Sequence, residues 1–376
     1  REAGVGITRV EIAHIDNRFV YPGGEDYRGL FAYADVSADV QERLPRVSEW
    51  IAAARQALAG GEPELAAGDQ CHDPFECPFL GYCSPAPVGE GYPPEILPRA
   101  AALAGTLRAE GFDDLRQVPA ERLSHPKHLR VHRSTCSGQA ELDAAAGAFL
   151  AALPFPRFYL DFETIAFAVP RWAGTRPYQQ VPFQWSCHVE TAPGSVASHA
   201  FLAEGDGDPR RAFAETLVAA IGGKPMPHVG TEAEEPQGVG PILVYNATFE
   251  RSRMLELAAT FPDLAPALQA AADGLVDLLP IAREHYYHPA MRGSWSLKAV
   301  LPTVAPELSY TDLEVADGGM AQQAYAEILD SATPPERRRR LRKALLDYCG
   351  RDTWGLVRLA WFFEGRDGGM KATHAQ

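Results

Sequence analysis

Apolar and polar residues alternate from Val10 to Ile15 and again at Phe19-Val20-Tyr21, with Asp16-Asn17 between them. This is the pattern of a β-hairpin turning at Asp16-Asn17. Two strands alone are only marginally stable, so the hairpin is expected to complete a sheet whose other strands lie upstream of Arg1. Val40, Leu44, Val47, Ile51, Ala54 and Leu58 then share one helical stripe that stops at Gly60-Gly61, with Pro45 marking a kink or a fresh start. A cysteine-bearing segment and a Pro/Gly-rich stretch from Pro85 to Pro98 follow. From there to Leu153 the pattern is helical and alanine-rich, with a loop near Ser124-His125-Pro126.

After Pro154 the period changes. Arg157 to Glu163, Val181 to Val189 and Ala197 to Leu202 read as strands, followed by a helix near Pro209 to Ile221. A polar insertion with Pro225, Pro227 and the acidic run Glu232 to Glu235 leads to a short apolar strand, Ile242 to Tyr245. A helix runs from Glu250 to Ala259, and the remainder is mostly helical, closing with a long helix from about Glu336 to Phe363. The order predicts an α/β chain, a mixed sheet covered by helices. Three parts are expected: 1–85, a linker and helical region over 86–153, and the sheet domain over 154–376.

Composition narrows the function classes. The 376 residues are 46% hydrophobic and 22% charged, which excludes a disordered or fibrous chain. The longest uncharged small-apolar run, Ala144 to Phe155, is far short of the ~20 residues that span a bilayer. No membrane partner is expected. Thirty-five Lys and Arg against 49 Asp and Glu give a net charge of −14, which disfavours sequence-blind wrapping of nucleic acid but allows a local basic patch. Six cysteines are too few for a disulfide scaffold in a chain this long, and no signal-peptide pattern follows Arg1. A cytoplasmic location is expected, with the natural start upstream.

Three groups of acids carry the candidate chemistry. Asp161 and Glu163 are two apart on a strand and so point to one face, where two carboxylates repel each other unless a cation lies between them. By itself the pair reads equally well as solvated. Glu250 falls in the first turn of a helix behind Asn246, as a metal ligand or as an acid answering the positive helix end. Tyr348 and Asp352 are four apart on the last helix and share a face. There a phenol can orient a water held by the carboxylate's metal, or the tyrosine can simply pack in the core.

Together these residues resemble the three motifs of the DnaQ-like, or DEDD, 3′-to-5′ exonuclease superfamily on an RNase H-like fold. Asp161-Phe162-Glu163 is similar to the first motif, Asn246 to Glu250 to the second, and Tyr348-x-x-x-Asp352 to the third in its tyrosine form. The resemblance implies metal-dependent hydrolysis of phosphodiester bonds in DNA or RNA, with two Mg²⁺ or Mn²⁺ ions held by Asp161, Glu163, Glu250 and Asp352. It gives Tyr348 the attacking water, and Asn246 and Asp277 supporting places behind the ligands. The second motif usually has Asp where this chain has Glu250, which leaves a catalytically silent nucleic-acid-binding or protein-interaction module of a repair or defence complex as the alternative. Phe158 to Thr164, Arg176 to Gln184 and Gly293 to Lys298 further resemble an uncharacterised bacterial domain of unknown function that often follows a RecB-like nuclease half.

Cys71, Cys77 and Cys83 place three soft ligands in thirteen residues, a set suited to zinc or an iron–sulfur cluster. The segment resembles the cysteine cluster of RecB-like nucleases with a [4Fe–4S] staple, which implies that residues 1–85 are a partial RecB-like α/β tail with the fourth ligand and the rest of that nuclease half upstream. His72 is an alternative fourth ligand for zinc. Arg337 to Lys343 is the one dense basic run, and Arg340 is a candidate phosphate contact just before Tyr348. Arg176, Tyr178 and Gln179, between the first two strands of the sheet domain, are candidates for lining the mouth of a nucleic-acid site. Lys298 is a candidate phosphate contact.

Overall fold

The computed structural model describes residues 6–62, 68–71, 75, 77–83, 91–222 and 240–366. His72 and the acidic run at 232–235 lie outside them. The chain forms two compact units: Arg1–Gly91 with Gly174–Pro177, and Tyr92–Ala173 with Tyr178–Gln376.

In the first unit, β1 (Glu11–Ile15) pairs antiparallel with β2 (Phe31–Asp35), Ile15 lying opposite Phe31. The expected partner, Phe19 to Tyr21, is not a strand. The Asp16 carboxylate accepts from the Arg18 amide and guanidinium, which curls the chain in a local side-chain turn, and Tyr21 is buried with its ring stacked on Tyr27 at 4.7 Å. Next come α1 (Ser37–Arg43), a tight turn at Leu44–Arg46, and α2 (Val47–Ala59). Pro45 has no N–H to continue the first helix, so the stripe restarts after it. The short α3 (Leu80–Cys83) ends the unit's described elements. In the cysteine segment the Cys77 amide donates to the Cys71 carbonyl at 2.8 Å and the Cys83 amide to Phe79 at 2.9 Å.

The second unit begins with α4 (Ala101–Ala109), α5 (Pro126–Ser137), β3 (Glu141–Leu142) and α6 (Ala145–Ala151). These do not stand apart from the sheet domain as expected. Leu107, Val131 and Leu150 are fully buried in the same core as Tyr159 of the central strand. The main sheet strands are β4 (Arg157–Ala166), β5 (Gln180–Ala192) and β6 (Ser195–Leu202). Then follow α7 (Arg210–Ile221), β7 (Ile242–Val244), α8 (Thr248–Thr260), α9 (Ala265–Asp273) and β8 (Leu275–Asp277). The spatial order is β6-β5-β4-β7-β8, with β4, β5 and β6 antiparallel and β7 and β8 running parallel to β4. The chain closes with α10 (Leu278–His285), β9 (Tyr286–Tyr287), α11 (Leu297–Val304), α12 (Gly318–Leu329) and α13 (Pro335–Phe363). No helix among the described residues is long and apolar enough to cross a membrane.

Helices flank both faces of this mixed sheet, and strand alternation decides what each face holds. Phe158, Leu160 and Phe162 enter one core with Phe213 of α7, Met254 and Leu257 of α8 and Leu268 of α9. Tyr159 and Ile165 enter the other with Leu301 of α11, Tyr325 of α12 and Leu345 and Leu356 of α13. Asp161 and Glu163 share the parity of Tyr159 and therefore face α13.

Buried polar contacts fix α13 against that face. Gln184 Nε2 donates to the Leu345 carbonyl at 2.8 Å, and Ser186 Oγ lies 2.8 Å from Thr353 Oγ1. At the helix end, Arg157 donates to Glu364 at 2.7 Å and to the carbonyls of Leu150 and Leu153. Glu190, fully buried, accepts from Tyr159, Trp361 and Arg366. A buried charge is tolerated only when paired and hydrogen-bonded in this way.

Candidate metal centre

With α13 held against β4, one carboxylate oxygen from each of Asp161, Glu163 and Asp352 lies within 4.8 Å of the others, the one such group of His, Cys, Asp or Glu among the described residues. Residues 189 and 191 positions apart in the chain thus meet at one point. Asp161 is partly exposed, while Glu163 and Asp352 are 8% and 7% exposed. Burial, and then the charges of Asp352, Glu163 and Glu250, hold the Asp161 carboxyl well above the usual carboxylate range. Glu163 is pushed up to about 8 by burial and by Asp352, with Lys298 opposing the shift and Asp317 adding to it. Asp352 is pushed up only to about 6, because hydrogen bonds from Tyr310 and Tyr348 and the charges of Lys298 and Arg351 work against its burial.

Glu250 comes from α8, and the turn that starts this helix is held by Asp277. Asp277 Oδ1 accepts from the amides of Asn246 and Leu279, both at 2.9 Å, and Oδ2 from Ala247 at 3.0 Å. Those contacts cap α10 and pin the turn between β7 and α8, where Asn246 is held in the left-handed region at φ 75°. Asn246 supports through its backbone. One turn later Glu250 is 2% exposed, and its Oε2 has no hydrogen-bond partner. Burial, with a smaller push from Asp277, takes its carboxyl up to about 8. Glu250 lies outside the tight group of three, yet its charge acts on Asp161.

Three neighbours of the acids carried no signal in the sequence. Tyr310, in the irregular segment between α11 and α12, donates its hydroxyl to Asp352 Oδ1. Cys349 Sγ approaches Asp161 Oδ2 at 3.7 Å; one helical turn from Thr353, it reads in sequence only as core. Asp317 caps α12 by accepting from Met320 at 2.8 Å. Lys298, near the start of α11, has its Nζ 5.3 Å from the Tyr348 ring centre and 5.5 Å from that of Tyr310.

The four remaining candidate substrate contacts have these places. Arg176 belongs to the first unit. Tyr178, 58% exposed at φ 59°, has its amide tied to the Phe167 carbonyl just before β5, where Gln179 follows it. Arg340 pairs with Glu314 at 3.2 Å. In the same run Arg337 pairs with Glu314 and Glu327, Arg342 with Glu204 and Lys343 with Asp347. The basic run is largely engaged with the protein's own acids and carbonyls.

Hard carboxylate oxygens converging in a buried, mutually repelling group suit a divalent ion such as Mg²⁺ or Mn²⁺, and the orphaned Glu250 Oε2 fits the same donor set. Cys71, Cys77 and Cys83 are free thiols, buried, half-buried and exposed in turn. Among the described residues they do not close into a comparable group of three ligand atoms.

A family model described as a domain of unknown function (DUF2779) matches residues 158–296, a span that includes Asp161, Glu163, Glu250 and Asp277. The Uncharacterized protein MG366 homolog of Mycoplasma pneumoniae is 26% identical over 224 residues, 55% of this chain. The match covers 32% of that protein, so the chain spans about a third of its relative's length. No solved structure matches the chain. Over the sheet and the turn that positions Glu250, the chain is thus similar to this domain of unknown function.

Proposed function

We propose that the chain is a metal-dependent nuclease, a 3′-to-5′ exonuclease hydrolysing phosphodiester bonds of DNA or RNA on an RNase H-like sheet. The observation that carries this reading is the meeting of Asp161 and Glu163 from the central strand with Asp352 from α13, beside the unpartnered Glu250. The strand order, three antiparallel strands continued by two parallel ones with the acids on the central strand, also supports it.

Asp161, Glu163, Glu250 and Asp352 would hold Mg²⁺ or Mn²⁺, which supplies an activated water and charge stabilisation at the leaving oxygen. The chain's own residues do the rest. Tyr310 fixes one oxygen of Asp352, leaving the other for the metal side. Tyr348, buried one turn before Asp352, presents its hydroxyl next to that carboxylate and orients the water. Asp277 keeps Glu250 in place through the turn at Asn246. The cysteine segment enters only as a proposed zinc or iron–sulfur staple of the first unit, with no part in this chemistry.

A second reading, a silent nucleic-acid-binding module, is favoured by one feature: Glu250 stands outside the tight group of three. The deciding experiment is cleavage of 5′-labelled single-stranded DNA and RNA with Mg²⁺, Mn²⁺ or chelator, with Asp161→Ala alongside. Stepwise shortening from the 3′ end, lost with chelator and with Asp161→Ala, is the expected result. Strand binding without any cleavage selects the silent module.

A further inference from the structure

We propose that Lys298 receives the substrate phosphate at the acid cluster, so that the strand passes on the α11 side of the metal site and not along the basic run of α13. This deepens the nuclease reading above and rests on it.

Lys298 is placed for that contact by three features. Its Nζ donates to the Ala316 carbonyl at 2.7 Å, immediately before the cap of α12. The faces of Tyr310 and Tyr348, 5.5 and 5.3 Å away, seat the ammonium by cation–π attraction. Tyr310 also donates to Asp352, and the Tyr348 hydroxyl acts on the same carboxylate, so the lysine is fixed to the group that holds the acid. An ammonium has three N–H donors. One is satisfied by Ala316, and among the described residues the other two make no hydrogen bond.

Its surroundings contrast with those of the other cations. Lys298 is exposed while Glu163 and Asp352 beneath it are buried, and its charge acts on both of them. By contrast Arg337, Arg338, Arg340, Arg342 and Lys343 each have a protein partner. Four carboxylates balance two divalent ions, so the negative charge of a bound phosphodiester needs another cation. Lys298 is the lysine whose charge reaches the cluster, held at its rim with donors to spare.

The test uses the full chain with Lys298→Met and Lys298→Arg. Mn²⁺ binding is measured by calorimetry without nucleic acid, for wild type, both variants and Asp161→Asn. Affinity for a fluorescein-labelled 12-nucleotide single strand, DNA and RNA in turn, is measured with Ca²⁺ across a salt series. Lys298→Met is expected to keep its Mn²⁺ binding, since the loss of a neighbouring positive charge favours the cation and offsets the higher pKa it leaves to Glu163 and Asp352. It is expected to bind the strand about 3- to 10-fold more weakly, with the slope of log affinity against log salt reduced by about 0.7, one phosphate contact. Lys298→Arg restores the slope. An unchanged slope and affinity in Lys298→Met, with Mn²⁺ binding intact, overturns the assignment of Lys298 alone. Mn²⁺ binding indifferent to Asp161→Asn, or no strand binding by wild type, overturns the nuclease reading and this proposal with it.

Discussion

Tyr310 donates its hydroxyl hydrogen to Oδ1 of Asp352, 42 residues further along the chain. That bond favours the ionised carboxylate, and it is the largest influence opposing the upward shift caused by burial. A divalent ion binds the ionised form, so whatever raises the pKa of Asp352 weakens metal binding at a given pH. Tyr310→Phe is expected to move the pH midpoint of Mn²⁺ binding upward by about 1–2 units, the value of one hydrogen bond to a charged group. Mn²⁺ titrations followed by electron paramagnetic resonance between pH 5.5 and 8 measure it; an unmoved midpoint shows that the phenol does not tune this carboxylate.

The acid cluster also sets how stability depends on pH in the absence of metal. Glu163 and Glu250 have folded-state values of about 8, above the usual 4.5. Between those limits the folded protein binds more protons than the unfolded chain, so folding weakens as pH rises. The metal-free protein is therefore expected to be most stable near pH 5 and to lose on the order of a few kcal/mol by pH 8.5. Mn²⁺ removes the repulsion, so its stabilising effect grows over the same range. Thermal denaturation at pH 5, 7 and 8.5, with and without Mn²⁺, reads both trends; a metal-free melting point that rises to pH 8.5 contradicts them.

How much of this was legible in the chain follows from the physics of each feature. Period-two alternation placed Phe158, Leu160 and Phe162 on one face and Asp161 and Glu163 on the other, and the strands fell close to where that pattern put them. The helical stripe and Pro45 likewise marked α1, the turn and α2. The hairpin failed because an aspartate side-chain turn at Asp16 outcompeted the tight turn, a choice that depends on Arg18 and Leu30. Tyr310 was invisible because it sits in irregular chain, where no periodicity marks a buried residue. The basic run read as free for phosphates because Glu314 and Glu327 reach it only through the packing of α12 and the segment before it.

Asp277 offers a test of the second acid's support. Its two oxygens accept from three amides, Asn246, Ala247 and Leu279, and the first two hold the turn from which α8 starts. Asp277→Ala leaves those donors without their acceptor and is expected to cost about 2–4 kcal/mol, lowering the melting temperature by several degrees. Because the turn directs Glu250, Mn²⁺ affinity should fall as well. Asp277→Asn, which keeps one acceptor oxygen, should recover part of the stability. A stability loss with unchanged Mn²⁺ affinity would confine Asp277 to capping α10.

Glu250 separates a ligand from a mere core acid. It is 2% exposed with an unpartnered Oε2, so at high pH its ionised form is a buried, poorly compensated charge. Glu250→Gln removes that charge while keeping the shape. Above the folded-state value of about 8, the metal-free variant is therefore expected to be more stable than wild type by about 1–2 kcal/mol. Near pH 5, where the wild-type carboxyl is already protonated, the two should differ little. With Mn²⁺ the order reverses if Glu250 is a ligand, because the glutamine amide is a weaker donor and the metal-induced rise in melting temperature shrinks. Glu250→Asp keeps a carboxylate one methylene shorter and should preserve most of that rise. Equal metal-induced stabilisation in wild type and Glu250→Gln would leave the site to Asp161, Glu163 and Asp352 alone and shift weight to the silent module.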